Sequence, residues 1–363
     1  MTLHEAISQV HKDAGAPQTA WTAAAPGGGP GAGLGCRVMI SRINAITARW
    51  LFVLLAGAIA SGWWQSAPLA PHAHLAPYLL AVMIFAVASS LDVAAFRRAS
   101  AEPGLWLRSF LLSYLPFPAM AWAAGRLLFP DDPLLRLGLM ILALVPAANT
   151  ASVYTALAGG DVAFALTGIA LGNILLPAVL MVFFAVQGAG ASVSPAAVWR
   201  TLALFVMLPT VAGVALGTRL RARQAAPGAT AGAVWLSVAP LVARACVMGI
   251  LLLNAAALRA QMELRVAQLA VMGVTLVAIE GIMYVLSGWW IHRRLPHRLG
   301  QGKAFCFLHA TRNTALAVAL ASAALGPQAS LPAMVAFLLQ EPLAAAMAAL
   351  VLARFRIQQA LAD

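Results

Sequence analysis

The sequence predicts an all-α polytopic membrane protein: ten transmembrane helices in two inverted five-helix repeats, with crossing helices 4 and 9 broken. Three observations carry this reading. Of 363 residues, 62% are hydrophobic and 9% charged, against roughly 25% charged in a soluble domain. Such a chain lacks the polar residues to cover a water-facing surface. Apolar runs of about twenty residues recur, the length a helix needs to cross the hydrocarbon core. Finally, two polar stretches interrupt the apolar sequence in a matching way: "LVPAANTASVYTALAGGD" (Leu144 to Asp161) and "LHATRNTALAVALA" (Leu308 to Ala321).

Residues 1–48 read as a disordered tail, with "GAPQTAWTAAAPGGGPGAGLG" at its centre; a Gly/Pro/Ala-rich, aperiodic composition builds no packed core. The tail lacks the charged start and short apolar core of a secretory signal, and Met39 is read as the expected true start. The spans follow at about 49–64, 74–95, 106–129, 134–158, 162–187, 199–218, 232–258, 266–291, 303–325 and 330–353. The first five form one repeat (49–187) and the last five a second (199–355), leaving 356–363 as a C-terminal tail.

Charge orients the spans. Sixteen of the 23 Lys and Arg fall in segments on one side and five on the other, so by the positive-inside rule both termini are cytoplasmic. The +12 net charge is therefore read as loop charge and not as a nucleic-acid surface. Trp50, Trp63, Trp64, Trp106, Trp199, Trp289 and Trp290 lie near span ends, where indoles favour the interface. Cys36, Cys246 and Cys306 have no ligand or disulfide spacing, and His72 and His74 read as solvated loop residues, so no metal and no resident cofactor is expected. Usage rich in Ala, Gly and Arg, with two lysines, fits a bacterial inner-membrane protein.

In the first polar stretch, Asn149-Thr150-Ala151 precedes Pro177 by 28 residues; in the second, Asn313-Thr314-Ala315 precedes Pro342 by 29. The two units lie five spans apart. An odd separation makes them enter the membrane from opposite sides, as in inverted-topology repeats. Each unit is expected to hold a helix broken at mid-membrane, whose freed backbone groups line a cavity. Pro146 supplies one break, and Gly159-Gly160-Asp161 turns the chain so that Asp161 caps the next helix. The candidate substrate- or ion-binding residues are Ser113, Asn149, Thr150, Ser152, Thr155, Thr311, Arg312, Asn313 and Thr314. Arg312 stands out because a charge at the bilayer centre costs roughly 2.5–3.5 kcal/mol even on the lenient insertion scale.

Three further charges fall within spans. Arg244 and Glu280 lie about twelve and eleven residues from the cytoplasmic ends of their helices, at nearly equal depth at about 1.5 Å per residue. They are expected to pair, either as a gate that breaks when helices slide or as a static neutral pair, and Glu280 also reads as a proton carrier. Glu341, just before Pro342, is placed to pair with Arg312 in the empty site. No nucleophile–base arrangement, His-Glu helix motif or acidic pair appears, so no enzyme is expected.

"MIFAVASSLDVAAFRRA" (Met83 to Ala99), "YLPFPAMAW" (Tyr114 to Trp122), "VPAANTASVYTALAGGDVAFAL" (Val145 to Leu166) and "RNTALAVALA" (Arg312 to Ala321) resemble the bile acid:sodium symporter superfamily from about residue 49 onward. The resemblance implies a core domain of spans 3–5 and 8–10, a panel of spans 1, 2, 6 and 7, and alternating access between them. It also exposes departures. Where sodium-coupled members place Ser-Asn, this chain has Ala151-Ser152; their fifth-helix hydroxyls align with Ala165 and Ile169. Their ninth-helix Glu and Gln-Asn align with Leu308, Arg312 and Asn313, and a third-helix Gln with Ser113. The carboxylate is gone and a cation has arrived, which argues against tight sodium binding and leaves sodium, a proton or no ion as the coupling species. The expected function is secondary active transport of a small organic anion recognised by the Arg312 fork. Metalloid efflux within the same superfamily and a non-transporting membrane sensor stand as alternatives. Oligomeric state is left open.

Overall fold

The computed structural model describes residues 50–90, 102–187, 203–224, 230–261, 266–295 and 298–360, together with residue 200 and parts of 39–47. Every regular element among the described residues is helical. The principal helices are α1 (Leu51–Trp64), α2 (Ala76–Ser89), α3 (Pro103–Tyr114), α4 (Pro116–Leu128), α5 (Pro133–Leu144), α6 (Thr150–Leu157) and α7 (Val162–Gln187). They continue with α8 (Leu208–Gln224), α9 (Thr230–Gln261), α10 (Val266–Arg294), α11 (Leu299–Ala310), α12 (Thr314–Leu325) and α13 (Leu331–Ala360).

Seven helical stretches among the described residues are long and apolar enough to cross a membrane. The other three expected spans are cut short in helix, not in apolar sequence. α1 has 14 residues; the expected span 106–129 divides into α3 and α4 at Leu115–Pro116; and the expected span 134–158 divides into α5 and α6. Proline explains both divisions. Pro116 opens α4, a position where a missing N–H is harmless, and Val145, ahead of Pro146, is driven extended (φ −68°, ψ 150°). Leu299–Leu325 is interrupted as well: Thr311 is extended (φ −82°, ψ 143°) with no proline nearby. Asn313 restarts that helix by accepting the Leu316 N–H on its side chain at 3.1 Å, an N-cap.

The two breaks meet. The Asn313 N–H donates to the Pro146 carbonyl at 2.8 Å, so each break satisfies a backbone group that the other frees, as membrane depth requires. Downstream of α6 the turn runs through Gly159, in the left-handed region at φ 66°. Asp161 then accepts the Phe164 N–H at 2.9 Å and caps α7.

Packing divides the helices into two groups. α9 lies along α1 and α2, and α8 lies on α2. Small residues set that last approach: a Cβ at Gly217 would sit 2.1 Å from the Ser89 carbonyl oxygen, the close contact that small residues permit between membrane helices. In the other group, α3–α7, α10 and α13 pack around α11 and α12, and the residues of the second break, Thr311 and Arg312, are both fully buried; the break is therefore a protein-lined site, not a lipid-facing one. α12 touches α2 and α9 and so links the groups. Large apolar residues such as Val82, Leu111, Val182, Val211, Val274 and Val285 are exposed on the outside, a surface suited to lipid.

The tail expected over 1–48 ends earlier. Residues 42–44, 46 and 47 are helical, and the Asn44 amide donates to the Ser237 carbonyl at 2.8 Å; residues 1–38 lie outside the described residues. At the other end, α13 continues helical to Ala360, past the expected boundary at 355.

Candidate functional site at the crossing of the two breaks

The second break carries Arg312 into the centre of the molecule, where its side chain is 0% exposed. Nη1 donates to Ser113 Oγ at 2.9 Å and toward the Val145 carbonyl at 3.4 Å, and Nη2 donates to the Ser113 carbonyl at 2.7 Å. The guanidinium carbon stands 4.4 Å from the Phe117 ring centre and 5.7 Å from that of Tyr114, within cation–π range. Among the described residues its Nε has no hydrogen-bond partner, nor does the buried Tyr114 hydroxyl. No carboxylate among the described residues lies within ion-pair distance of the guanidinium. The Arg312 peptide is held separately: its N–H donates to Gln340 Oε1 at 2.6 Å, and Gln340 Nε2 donates to its carbonyl at 2.9 Å.

The pairings expected for the other interior charges are not the ones observed. Glu341 does not pair with Arg312. It accepts the Thr150 hydroxyl at 3.0 Å and the Tyr154 hydroxyl at 2.6 Å, joining α13 to α6. Arg244 does not pair with Glu280. Its Nη1 donates to Asn44 Oδ1 at 2.9 Å and Thr47 Oγ1 at 2.8 Å. Equal depth on two helices was the basis for that pair; the segment before α1 supplies nearer acceptors. Glu280, 3% exposed, lies within electrostatic reach of Arg312 and Glu341.

Of the sequence-predicted site residues, Ser113, Thr150, Arg312 and Asn313 converge on the crossing. The Thr155 and Thr311 hydroxyls instead donate one turn back, to Ala151 and Phe307 carbonyls at 2.7 Å each. Thr314 is buried. Asn149 is exposed and its carbonyl accepts the Ser152 hydroxyl at 2.8 Å.

A narrow crevice opens where the two helix groups meet, lined by Met83, Asn173, Leu176, Val206, Thr210 and Asn313 among others. A second, smaller depression is lined by Ser109, Ser113, Tyr114 and His309 among others. The His309 ring nitrogens meet the Ser109 and Ser287 hydroxyls at 2.9 and 3.0 Å. Asn173, Thr210, His309 and Gln340 escaped sequence reasoning. Two left a faint signal, since Asn173 sits four residues before Pro177 and Gln340 directly before Glu341-Pro342. Among the described residues no cluster of His, Cys, Asp and Glu could hold a metal ion.

Paired helix breaks around a buried cation, under an apolar outer surface, define a multi-pass membrane protein with a site at the meeting of two helix groups. The Sodium Bile acid symporter family matches residues 77–277, and the chain belongs to that family. Membership marks it as a membrane transporter of the bile acid symporter superfamily. It is also similar to YbaS of Bacillus subtilis (strain 168), a protein described as uncharacterized, with 24% identity over 273 residues covering 74% of this chain and 86% of that one.

Proposed function

We propose that the chain is a secondary carrier that moves a small organic anion across the bacterial inner membrane by alternating access, without sodium. Its two five-helix repeats, 49–187 and 199–355, supply the two breaks, and α1, α2, α8 and α9 act as a panel against the remaining core. The observation that carries the reading is Arg312, a fully buried guanidinium with no carboxylate partner among the described residues, fixed where the two breaks cross. A fixed cation there does electrostatically what a bound cation would do, and it repels one.

The anion's seat in this reading is the crevice, not the guanidinium fork: Asn313 lines the crevice, whereas Arg312 faces Ser113. Asn173, Thr210 and Asn313 offer polar contacts, and α12 begins at the break with its positive dipole end there. Arg312 adds long-range attraction through a low-dielectric wall. Cys306 is not part of the crevice lining, so the site gives a soft metalloid no support.

The test is thermal unfolding of the purified full chain in sodium, potassium and choline salts, with pyruvate, benzoate and other carboxylates. A ligand bound only by the native state raises apparent stability by mass action. The expected result is stabilisation by a carboxylate, equal in the three salts and lost in Arg312→Gln. A shift seen only in sodium overturns the reading. Counterflow in proteoliposomes separates a carrier, which exchanges labelled for unlabelled anion, from a sensor, which does not.

A further inference from the structure

Building on the anion-carrier reading, we propose that the coupled ion is a proton and that Glu341, opposed by Glu280, is the group that carries it. The placement of charge is the first ground. Among the described residues, the interior around the crossing holds one fixed cation, Arg312, and two carboxylates, Glu280 and Glu341, with no ion pair among them. Both carboxylates ionised would leave one net negative charge at membrane depth, where uncompensated charge is expensive. A single proton on the pair makes the set neutral. His309 does not disturb the count, because hydroxyls at both ring nitrogens serve a neutral imidazole equally well.

An anion entering the crevice beside Asn313 adds a negative charge, and a second proton cancels it. The proton comes from the water on the side the anion enters and returns to water on the side it leaves. Transport is then electroneutral, one proton for each monovalent anion.

The second ground is mechanical. Gln340 and Glu341 are consecutive on α13, and each grips a different break. Gln340 holds the Arg312 peptide, while Glu341 takes both the Thr150 and Tyr154 hydroxyls of α6. An ionised carboxylate accepts at both oxygens; a protonated one has an O–H that must donate. Protonation therefore turns one of the two α6 bonds round, the new O–H donating to the Thr150 or Tyr154 oxygen, while the Gln340 grip on the second break is unchanged. The groups facing Glu341 are Thr150 and Tyr154 from α6, Glu280 and Tyr284 from α10, and Gln340 beside it on α13; Arg312 faces Glu280.

Infrared difference spectroscopy on the full chain in phosphatidylcholine bilayers, stepped between pH 8 and pH 5 with and without saturating benzoate, reads the resting proton and the one the anion brings in. The expected result is a deuterium-sensitive carboxylic-acid band that titrates and disappears in Glu341→Gln, with Glu341→Asp restoring it. Absence of such a band in the wild type, or its persistence in Glu341→Gln, overturns the proposal. Binding of pyruvate or benzoate supplies the linked readout. If the anion takes up one proton, its Kd falls about tenfold for each unit drop in pH, and Glu341→Gln flattens that slope. Pyruvate or benzoate binding with no pH dependence overturns the coupling and leaves the carrier reading intact. Failure of every carboxylate to bind sinks the carrier reading, and the infrared titration still decides the proton site.

Discussion

The residue that organises the site is Arg312, and what holds it is a neighbour that sequence reasoning passed over. Gln340 is 1% exposed and spends both ends of its amide on the Arg312 peptide. Replacing it with Leu keeps the volume but strands a buried N–H and a buried carbonyl, each costing about 1–3 kcal/mol when unsatisfied. Gln340→Leu is therefore expected to lower the unfolding temperature measurably. Gln340→Glu keeps one acceptor for the Arg312 N–H and should fall between; equal stability of Leu and wild type in a thermal scan would remove Gln340 from this role. Arg312 was legible because a cation in an apolar run is conspicuous. Gln340 was not, because a neutral amide in a helix gives no periodic signal and its partner lies 28 positions away.

At the scale of elements, the sequence disclosed where the chain breaks but not how each break is stabilised. Pro146 announced the first. The second has no proline and depends on Asn313, which caps α12 through its side chain and joins Pro146 through its N–H. Asn313→Asp preserves the cap, since an aspartate caps as well as an asparagine, and places a negative charge on the crevice lining. The expected outcome is near-normal thermal stability with loss of carboxylate-induced stabilisation. Asn313→Ala should show the converse emphasis, losing about 0.5–2 kcal/mol with the cap. If Asn313→Asp binds carboxylates as well as the wild type, the anion does not sit at this end of α12. The division at Leu115–Pro116 was missed for a simple reason. Apolar residues run straight through it, and hydropathy registers length without registering a lost hydrogen bond.

Across the whole molecule, the site depends on two helix groups meeting at α12, and here the sequence was weakest. Membrane depth and side could be argued from charge and tryptophan positions. Lateral neighbours could not, which is why Arg244 was matched with Glu280 when Asn44 and Thr47 hold it. The crevice is likewise assembled from α2, α7, α12 and the start of α8, elements scattered over more than 200 positions, so no local pattern could announce it. Its reality can be tested without knowing the cargo. In a background with Cys36, Cys246 and Cys306 replaced, Asn173→Cys and Thr210→Cys should react with a membrane-impermeant thiol reagent applied from the side on which the crevice is open. Thr155→Cys, at a fully buried position, should not. A carrier that alternates must expose Asn173→Cys and Thr210→Cys to the opposite side in part of its population, so labelling from either face of inside-out and right-side-out vesicles is expected. Labelling from one face alone, under every anion and pH tried, would describe a binding protein whose two helix groups never exchange access.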